Sequence, residues 1–237
     1  MGFQNVIFGK HNTLDYKAYV RSDFTINHSS ADLSELTIPG RDGVLMTSNR
    51  RFKSFEQEFE LIFLGTSKEI KTNSERFARD ILAEQYKMLD IMLTSDKGFI
   101  YRGYLSSEGV QIKNSVSETT SKVTFVMQPY KYMQEGLKPI VLTSGQKLTN
   151  PGTMASKPRL IVTGSGTVRI NNLTLKNVDR GLIVDSEMQT CTNLNETQNQ
   201  FNKMYGKFIE LPPGDNTITW DNSNFTVQMI PRWVVRT

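Results

Sequence analysis

Cysteine and histidine are scarce in this chain, and their scarcity limits the chemistry it can support. The 237 residues include one cysteine, Cys191, and two histidines, His11 and His28. One cysteine permits no disulfide bond within a chain and no cysteine metal cluster, and a single free thiol is typical of a reducing cytosol. No familiar motif surrounds Cys191, so we interpret it as a buried, unreactive thiol. Both histidines stand in polar surroundings without a second ligand at metal spacing, which favours surface positions.

Long apolar runs and blocks of one charge are also missing. No segment approaches the roughly 20 apolar residues of a transmembrane helix, and the first residues lack a signal-peptide or myristoylation pattern. The net charge is +4, from 28 basic and 24 acidic residues. The one short basic stretch, at residues 50–53, is too small to predict dedicated nucleic-acid binding. We expect a globular protein without membrane insertion.

The chain also lacks a catalytic or cofactor signature. No nucleophile elbow is present, and Gly164-Ser165-Gly166 lacks the third glycine and the following helix of a nucleotide loop. Glu56, Glu58 and Glu60 alternate along a strand pattern, which is typical of the solvated face of a sheet. We therefore expect no enzyme activity, no metal and no cofactor.

What the sequence does contain is a specified turn at Pro39-Gly40-Arg41-Asp42-Gly43. Proline fixes one φ angle and the two glycines accept positive φ, and short apolar segments flank the turn on both sides. The pattern predicts a loop of defined shape between two β-segments. We expect Pro39, Gly40, Arg41, Asp42 and Gly43 to form a subunit-interface loop.

The rest of the first half predicts strands and one helix. Residues 55–63 alternate apolar and acidic side chains, the clearest strand pattern in the chain. A capping box at Thr72-Asn73-Ser74-Glu75 predicts a helix from residue 74 to residue 93. Strands are expected at 98–105 and 121–128, the second ending at Pro129. The polar stretch between them predicts a protruding arm that includes Lys113, Asn114, Ser115 and Glu118.

The second half is built from short apolar runs separated by Gly, Asn, Pro and Asp. Asn171-Asn172 is a two-residue turn candidate because asparagine tolerates the left-handed conformation. Strands this short and frequent predict a β-sandwich. We place two domains at residues 1–134 and 135–237.

Four motifs together resemble the distal tail protein family of long-tailed siphophages. They occur in the family's order and cover nearly the whole chain, and none is a catalytic signature. The motifs are Ile38-Pro39-Gly40-Arg41-Asp42-Gly43 after Ile7-Phe8-Gly9-Lys10; Gln128-Pro129-Tyr130-Lys131-Tyr132; Asn150-Pro151-Gly152-Thr153 with Pro158; and Leu211-Pro212-Pro213-Gly214-Asp215-Asn216-Thr217-Ile218. The resemblance implies a mainly β (β-rich α+β) fold. Its N-terminal domain would be barrel-like or sandwich-like, with one α-helix and a protruding arm, and its C-terminal domain a galectin-like β-sandwich.

The resemblance also implies a role. Such a protein forms a hexameric hub ring at the virion tail tip, after assembly in the host bacterial cytoplasm. The ring joins the end of the tail tube to the adhesion (receptor-binding) apparatus. Implied partners are further copies of the chain, the tail-tube protein, the tape-measure protein and adhesion proteins, with DNA passing only in transit through the lumen. The same component occurs in phage-tail-like bacteriocins, and the sequence does not separate the two.

Two alternatives remain open. One is a carbohydrate-binding module for host cell-wall sugars, with Trp220 and Trp233 as weak stacking candidates. Galectins bind sugar with a histidine, and residues 135–237 contain none, which argues against that kind of sugar site. The other alternative is a tail-tube subunit with a decoration domain, which would polymerise into long tubes.

Overall fold

The computed structural model describes residues 3–21, 24–115 and 118–237. Their fold is mainly β, with one α-helix among them, as the sequence predicts. The chain divides into two compact units, unit 1 (residues 1–131 with 236–237) and unit 2 (residues 132–235).

Unit 1 is built on a path of eight antiparallel strands in the order β1-β4-β7-β10-β9-β8-β2-β3. A separate two-stranded sheet, β5-β6, projects from the chain between β4 and β7. The elements are β1 (Phe3–Gln4), β2 (Val6–Phe8), β3 (His11–Asn12), a 3-10 turn (Thr13–Tyr16), β4 (Ala18–Arg21), β5 (Ala31–Thr37), β6 (Val44–Phe52), β7 (Phe55–Phe63), α1 (Ser67–Leu82), β8 (Leu89–Leu93), β9 (Phe99–Asn114) and β10 (Thr119–Met133).

An aromatic cluster forms the core of unit 1. The Phe8 ring stacks on Phe125 with centroids 5.0 Å apart and meets Phe59 edge to face at 5.3 Å. Strand β7 contributes Phe59 because its alternation places Phe59 and Leu61 inward, while Glu56, Glu58 and Glu60 face outward. The strand predicted at residues 55–63 is confirmed in place and in facing.

The helix begins and ends earlier than predicted. Helix α1 starts at Ser67 because Thr66 is its N-cap: Glu69 N donates to Thr66 Oγ1, and Thr66 N donates to Glu69 Oε2 at 2.9 Å. This capping box has the same spacing as the one predicted at Thr72 to Glu75, and it follows directly on the end of β7. The prediction that the helix runs to residue 93 is wrong.

Residues 89–93 form a strand instead of the end of that helix. Leu89, Ile91 and Leu93 are buried and alternate with two half-buried residues, which is the period of a strand. The helix buries Phe77 and Ile81 against the sheet's core.

Strand β10 passes through Pro129, contrary to the predicted end at that residue. Thr237 N donates to the Pro129 carbonyl at 3.2 Å. In an antiparallel pair, residue 129 would return an N–H to the Thr237 carbonyl. Proline has no N–H, and the Ser29 hydroxyl donates to Thr237 O at 3.2 Å instead. The strand therefore continues because a side chain replaces the missing donor.

Unit 2 contains sheets of five, three and two strands, in the orders β11-β20-β13-β16-β17, β14-β15-β18 and β12-β19. Their bounds, with two 3-10 turns at Gln134–Leu137 and Phe201–Lys203, are β11 (Ile140–Val141), β12 (Gln146–Asn150), β13 (Arg159–Thr163), β14 (Gly166–Ile170), β15 (Leu173–Val178), β16 (Gly181–Asp185), β17 (Thr190–Asn193), β18 (Met204–Gly206), β19 (Gly214–Ile218) and β20 (Thr226–Ile230). The last strand, β21 (Val234–Arg236), belongs to none of these three sheets.

The sheets of unit 2 share one apolar core. Leu160 and Val184 enter it from the five-stranded sheet, and Val168 and Leu175 enter it from the three-stranded sheet. Two sheets that bury facing sides against each other form a sandwich. The Asn171-Asn172 turn joins β14 to β15, with Asn171 at φ +48° as its left-handed residue.

Candidate interaction surface

The exposed hairpin, defined here as residues 31–52 (β5, β6 and their turn), has almost no buried side chains. Among these residues only Asp32 is buried. Its register pairs Thr37 with Val44, Leu36 with Leu45 and Glu35 with Met46. The two strands have no further strand partner within the part of the chain that the structure describes. Both outer edges of the hairpin therefore present unpaired backbone groups.

Apolar side chains lie on both faces of the exposed hairpin. Alternation along the strands places Leu36 and Leu45 on one face, and Leu33, Val44 and Met46 on the other. All five are exposed, with Met46 reaching 60%. A contiguous exposed apolar patch usually marks an interaction site, because exposing apolar side chains to water does not stabilise a monomer. The apolar segments on both sides of the turn are therefore the candidate contact surface, since nothing in the described residues covers them.

The tip of the exposed hairpin is the predicted Pro39 to Gly43 segment. Arg41 N donates to the Ile38 carbonyl at 3.2 Å, with Pro39 and Gly40 between them and Gly40 at φ +79°. Proline followed by a glycine of positive φ is the pattern of a type II turn. All five residues of the tip are exposed.

The charged pair at the tip, Arg41 and Asp42, has no side-chain partner in the part of the chain that the structure describes. Within residues 3–21, 24–115 and 118–237, no side chain forms an ion pair or hydrogen bond with the side chain of Arg41 or Asp42. The tip therefore offers one cation and one anion to a neighbouring molecule.

A group of charged residues stiffens the base of the exposed hairpin. Asp32 accepts a hydrogen bond from Arg51 Nε at 2.5 Å and has Lys53 Nζ at 3.7 Å. The Arg51 hydrogen bond, against the cost of burial, holds the pKa of Asp32 below its usual range. The register shifts at this point, between Ala31 and Leu33.

Aromatic and backbone contacts fasten the same base to the rest of unit 1. The Phe52 ring meets Tyr130 edge to face at 6.2 Å, and the Arg236 guanidinium lies 4.4 Å from the Phe52 centroid. Just outside the hairpin, Lys53 N donates to Ser30 O at 2.9 Å, which joins the two chain segments where they enter and leave it. The exposed hairpin is thus held firmly at one end and uncovered along its length.

The predicted arm residues lie at the far end of the β9–β10 hairpin. Lys113, Asn114, Ser115 and Glu118 are all exposed there, and Ser115 N donates to Glu118 O at 2.9 Å. Residues 116 and 117, which complete the predicted arm, lie outside the described residues. The predicted arm and the exposed hairpin are separate elements. The sequence did not predict the exposed hairpin as a projecting element, although Val44-Leu45-Met46, three successive apolar residues beside a turn, was a signal for it.

The two tryptophans occupy different environments. Trp233 is 8% exposed and belongs to the core of unit 2. Trp220 is partly exposed and lines a surface depression with Arg169, Asn171, Thr219 and Asp221. Only Trp220 presents appreciable surface to solvent.

The residues whose side chains could take part in chemistry, Cys191 and the two histidines, occupy different environments. Cys191 is fully buried, as predicted, and burial raises its pKa to about 11. His28 is exposed, but the prediction of a surface position for His11 is wrong. His11 is largely buried, with Nδ1 3.0 Å from Tyr16 Oη and Nε2 3.6 Å from Glu84 Oε1. Its polar sequence neighbours did not reveal this, since Tyr16 lies at the end of the following 3-10 turn and Glu84 lies beyond α1.

The described residues contain neither a candidate metal cluster nor a candidate membrane-spanning helix. No cluster of three or more His, Cys, Asp or Glu side chains has an arrangement suited to a metal ion. No helix in this part of the chain combines the length and the apolar character that a membrane span requires.

The comparisons with known proteins identify the fold. No protein-family model matches the sequence, and no curated protein matches it. Among solved structures, the fold matches that of a phage hub adsorption protein. That structure is the crystal structure of SPP1 Dit (gp 19.1), described as a paradigm of the hub adsorption apparatus in phages that infect Gram-positive hosts. The match has a TM-score of 0.71 and 16% sequence identity, and covers 95% of this chain and 97% of the other.

Proposed function

We propose that this chain is a distal tail protein that forms a hub ring at a phage tail tip. The observation that carries the proposal is the fold match to SPP1 Dit, which extends over 95% of this chain and includes both units. A fold can serve many functions, so the sequence motifs and the exposed hairpin supply the remaining support. The role is structural and involves no catalysis.

The ring would be a hexamer closed by a head-to-tail interface. In such an interface one patch on a subunit meets a different patch on the next, and the rotation closes. The exposed hairpin suits one side of that contact, because it offers apolar side chains on both faces, two open strand edges and an unpaired Arg41 and Asp42 at its tip. In this proposal Pro39, Gly40 and Gly43 hold the tip in shape for the neighbouring subunit, and the predicted arm at Lys113 to Glu118 makes a second contact.

The two domains would have separate tasks. Residues 1–134 would form the ring, and residues 135–237, as a galectin-like sandwich, would bind adhesion proteins. The tail-tube and tape-measure proteins would contact the ring, and DNA would pass through its lumen. The particle would assemble in the bacterial cytoplasm, as a phage tail or a tail-like bacteriocin.

Light scattering combined with negative-stain imaging tests this proposal. Purified full-length chain is expected at six times the 27.0 kDa chain mass, with closed six-fold rings in the images. A monomer that also fails to bind the tail-tube protein of its own particle would contradict the hub role. Long tubes would instead identify a tail-tube subunit.

A matched pair of variants tests the tip of the exposed hairpin. Arg41→Ala with Asp42→Ala is expected to reduce ring yield, because it removes the unpaired cation and anion. Asp179→Ala with Arg180→Ala removes a similar adjacent, exposed pair from unit 2 and is expected to leave ring yield unchanged. Intact rings in the first variant would remove the tip from the interface.

A further inference from the structure

We propose that the Trp220 depression, defined as the surface hollow lined by Arg169, Asn171, Thr219, Trp220 and Asp221, binds a neutral saccharide. The hollow has a volume of about 350 Å³ and is open to solvent. This site goes beyond the hub role and does not depend on it. It also differs from a galectin site, because it uses no histidine.

The Asn171 side chain fixes part of the lining of the Trp220 depression. Asn171 stands in the left-handed conformation at the β14–β15 turn. Its Oδ1 accepts from Thr219 N at 2.8 Å, and its Nδ2 donates to Thr217 O at 3.0 Å. Both ends of the amide are engaged within the protein, so Asn171 shapes the hollow and leaves ligand binding to its neighbours.

Arg169 and Asp221 are held beside each other by hydrogen bonds from their backbone N–H groups. Arg169 N donates to Asp221 Oδ1 at 2.9 Å, and Asp221 N donates to Arg169 O at 3.3 Å. Arg169 Nε donates to Asn171 O at 3.1 Å. Among the described residues, nothing pairs with the terminal guanidinium nitrogens or with Asp221 Oδ2. The Arg169 guanidinium is therefore an available donor in the lining of the hollow, and Asp221 Oδ2 is an available acceptor.

Trp220 is fixed by its backbone and leaves part of its ring available. Ser144 Oγ accepts from Trp220 N at 2.9 Å and donates to Trp220 O at 3.0 Å. Trp220 also forms a β-bridge with Ile170. The ring packs in part against the core of unit 2, and no described residue accepts a hydrogen bond from its indole N–H. The indole is a rigid apolar surface with one unused donor.

The side chains of Arg169, Trp220 and Asp221 match a neutral sugar better than other small ligands. A sugar ring has an apolar C–H face, which suits the indole, and hydroxyl groups that both donate and accept. Arg169 would donate to one hydroxyl, while Asp221 would accept from another. A ligand of net charge would be attracted by one of these groups and repelled by the other, so the balance favours an uncharged ligand.

The test is direct binding by the full-length chain. The probes are immobilised neutral oligosaccharides of glucose, galactose and N-acetylglucosamine, with sialylated and uronate oligosaccharides as the charged set. The strongest neutral binder is then titrated by calorimetry. We expect Arg169→Ala and Trp220→Ala each to weaken its association constant about tenfold or more, since each removes a stacking surface or a charged hydrogen-bond donor. Asp221→Asn keeps an acceptor for Arg169 N and is expected to weaken binding less.

Controls separate binding from folding. Phe201→Ala removes an exposed aromatic ring elsewhere in unit 2, and Lys157→Ala removes an exposed cation; both are expected to bind as the unchanged chain does. A melting curve accompanies Trp220→Ala because this ring contacts the core, and Arg169→Ala carries the test if that variant is unstable. Retention of only charged glycans, retention of none, or binding that survives Arg169→Ala would each overturn the proposal. Ring formation is measured separately and is unaffected by these outcomes.

Discussion

Leu36 and Leu45 are direct register partners across the exposed hairpin, and both remain open to solvent, at 56% and 38% exposed. Cross-strand apolar pairs normally stabilise a sheet by being covered from one side. This pair has no cover from its own chain among the described residues. Burial of this pair by a neighbouring molecule would therefore contribute favourable free energy to an association.

Opposite charges placed at this pair are expected to block assembly without unfolding the chain. Leu36→Asp with Leu45→Lys keeps a favourable cross-strand pair but makes any apolar contact there costly, because both charges would lose water. We expect the mass in light scattering to fall to that of a smaller species. The free energy of unfolding, taken from melting curves, should change by less than about 0.5 kcal/mol, as for other exposed positions. Met188→Asp, at a residue 70% exposed in unit 2, is the control. Rings at the yield of the unchanged chain would show that the hairpin faces are not the contact.

A pH-dependent ion pair in unit 2 gives a second prediction. Arg232 donates from both terminal nitrogens to Asp185, each at 2.7 Å. Burial raises the pKa of Asp185, but hydrogen bonds from Arg232 and from two backbone N–H groups outweigh it, and the pKa lies below its ordinary value. Because the folded-state pKa is the lower one, this stabilisation is complete above the unfolded value of about 3.9 and is lost as pH falls below it.

Denaturant unfolding between pH 3 and pH 7 measures this effect. We expect the free energy of unfolding to drop below about pH 4, and the drop to be smaller in Asp185→Asn. At neutral pH, Arg232→Met is expected to cost about 3 kcal/mol, since it leaves a buried carboxylate without its partner. Arg180→Met is the control, because Arg180 also has a positive φ, +64° against +56°, but is exposed. Parallel pH profiles for Asp185→Asn and the unchanged chain would contradict the assignment.

The buried thiol gives a third prediction. Cys191 is fully buried and its pKa is raised to about 11, so the reactive thiolate is rare at pH 8. We expect no reaction with Ellman's reagent in native buffer and full reaction in denaturant, followed by absorbance. Met188→Cys supplies an exposed thiol that should react at once. Fast labelling of the native, unchanged chain would mean that unit 2 opens readily around β17.

A fourth prediction tests the position of α1. Phe77→Ala empties a fully buried site against the aromatic cluster and is expected to destabilise unit 1 by about 3 to 5 kcal/mol. Tyr86→Ala removes a ring that is 92% exposed just after the helix and should have almost no effect. Thermal unfolding by circular dichroism compares the two. Equal effects would place Phe77 outside the core.

Local patterns predicted those parts of the fold that depend on local chemistry. The alternation in residues 55–63 placed β7 correctly, and asparagine's tolerance of positive φ placed the turn at Asn171. The capping box at Thr66 and Glu69 was equally visible in the sequence, but two nearby boxes of the same spacing cannot be ranked without knowing where β7 ends. Pro129 was misread because its missing donor is replaced by Ser29, a hundred residues away.

The candidate interaction surface also has features that the sequence predicted and features that only the structure revealed. The turn at Pro39 to Gly43 was predictable because proline and glycine restrict the backbone by themselves. The exposure of Leu36 and Met46 was not, since whether an apolar side chain is covered depends on the rest of the fold. That Arg41 and Asp42 contact a neighbouring subunit stays a prediction. The grouping of Arg169, Trp220 and Asp221 also required the structure, because the β14–β15 turn and the β19–β20 connection lie about fifty residues apart.

The exposed hairpin, which is attached to unit 1 only at its base, is expected to promote aggregation of chains that are not assembled. Two open edges and apolar side chains on both faces are also the features that let free chains stick together in irregular ways. A cell that makes this chain without its assembly partners should accumulate insoluble material in proportion to expression level. The charged variant at Leu36 and Leu45 should stay in solution under the same conditions. Under the proposed hub role, solubility and assembly would oppose each other at this hairpin, and the timing of synthesis would become part of how the particle is built.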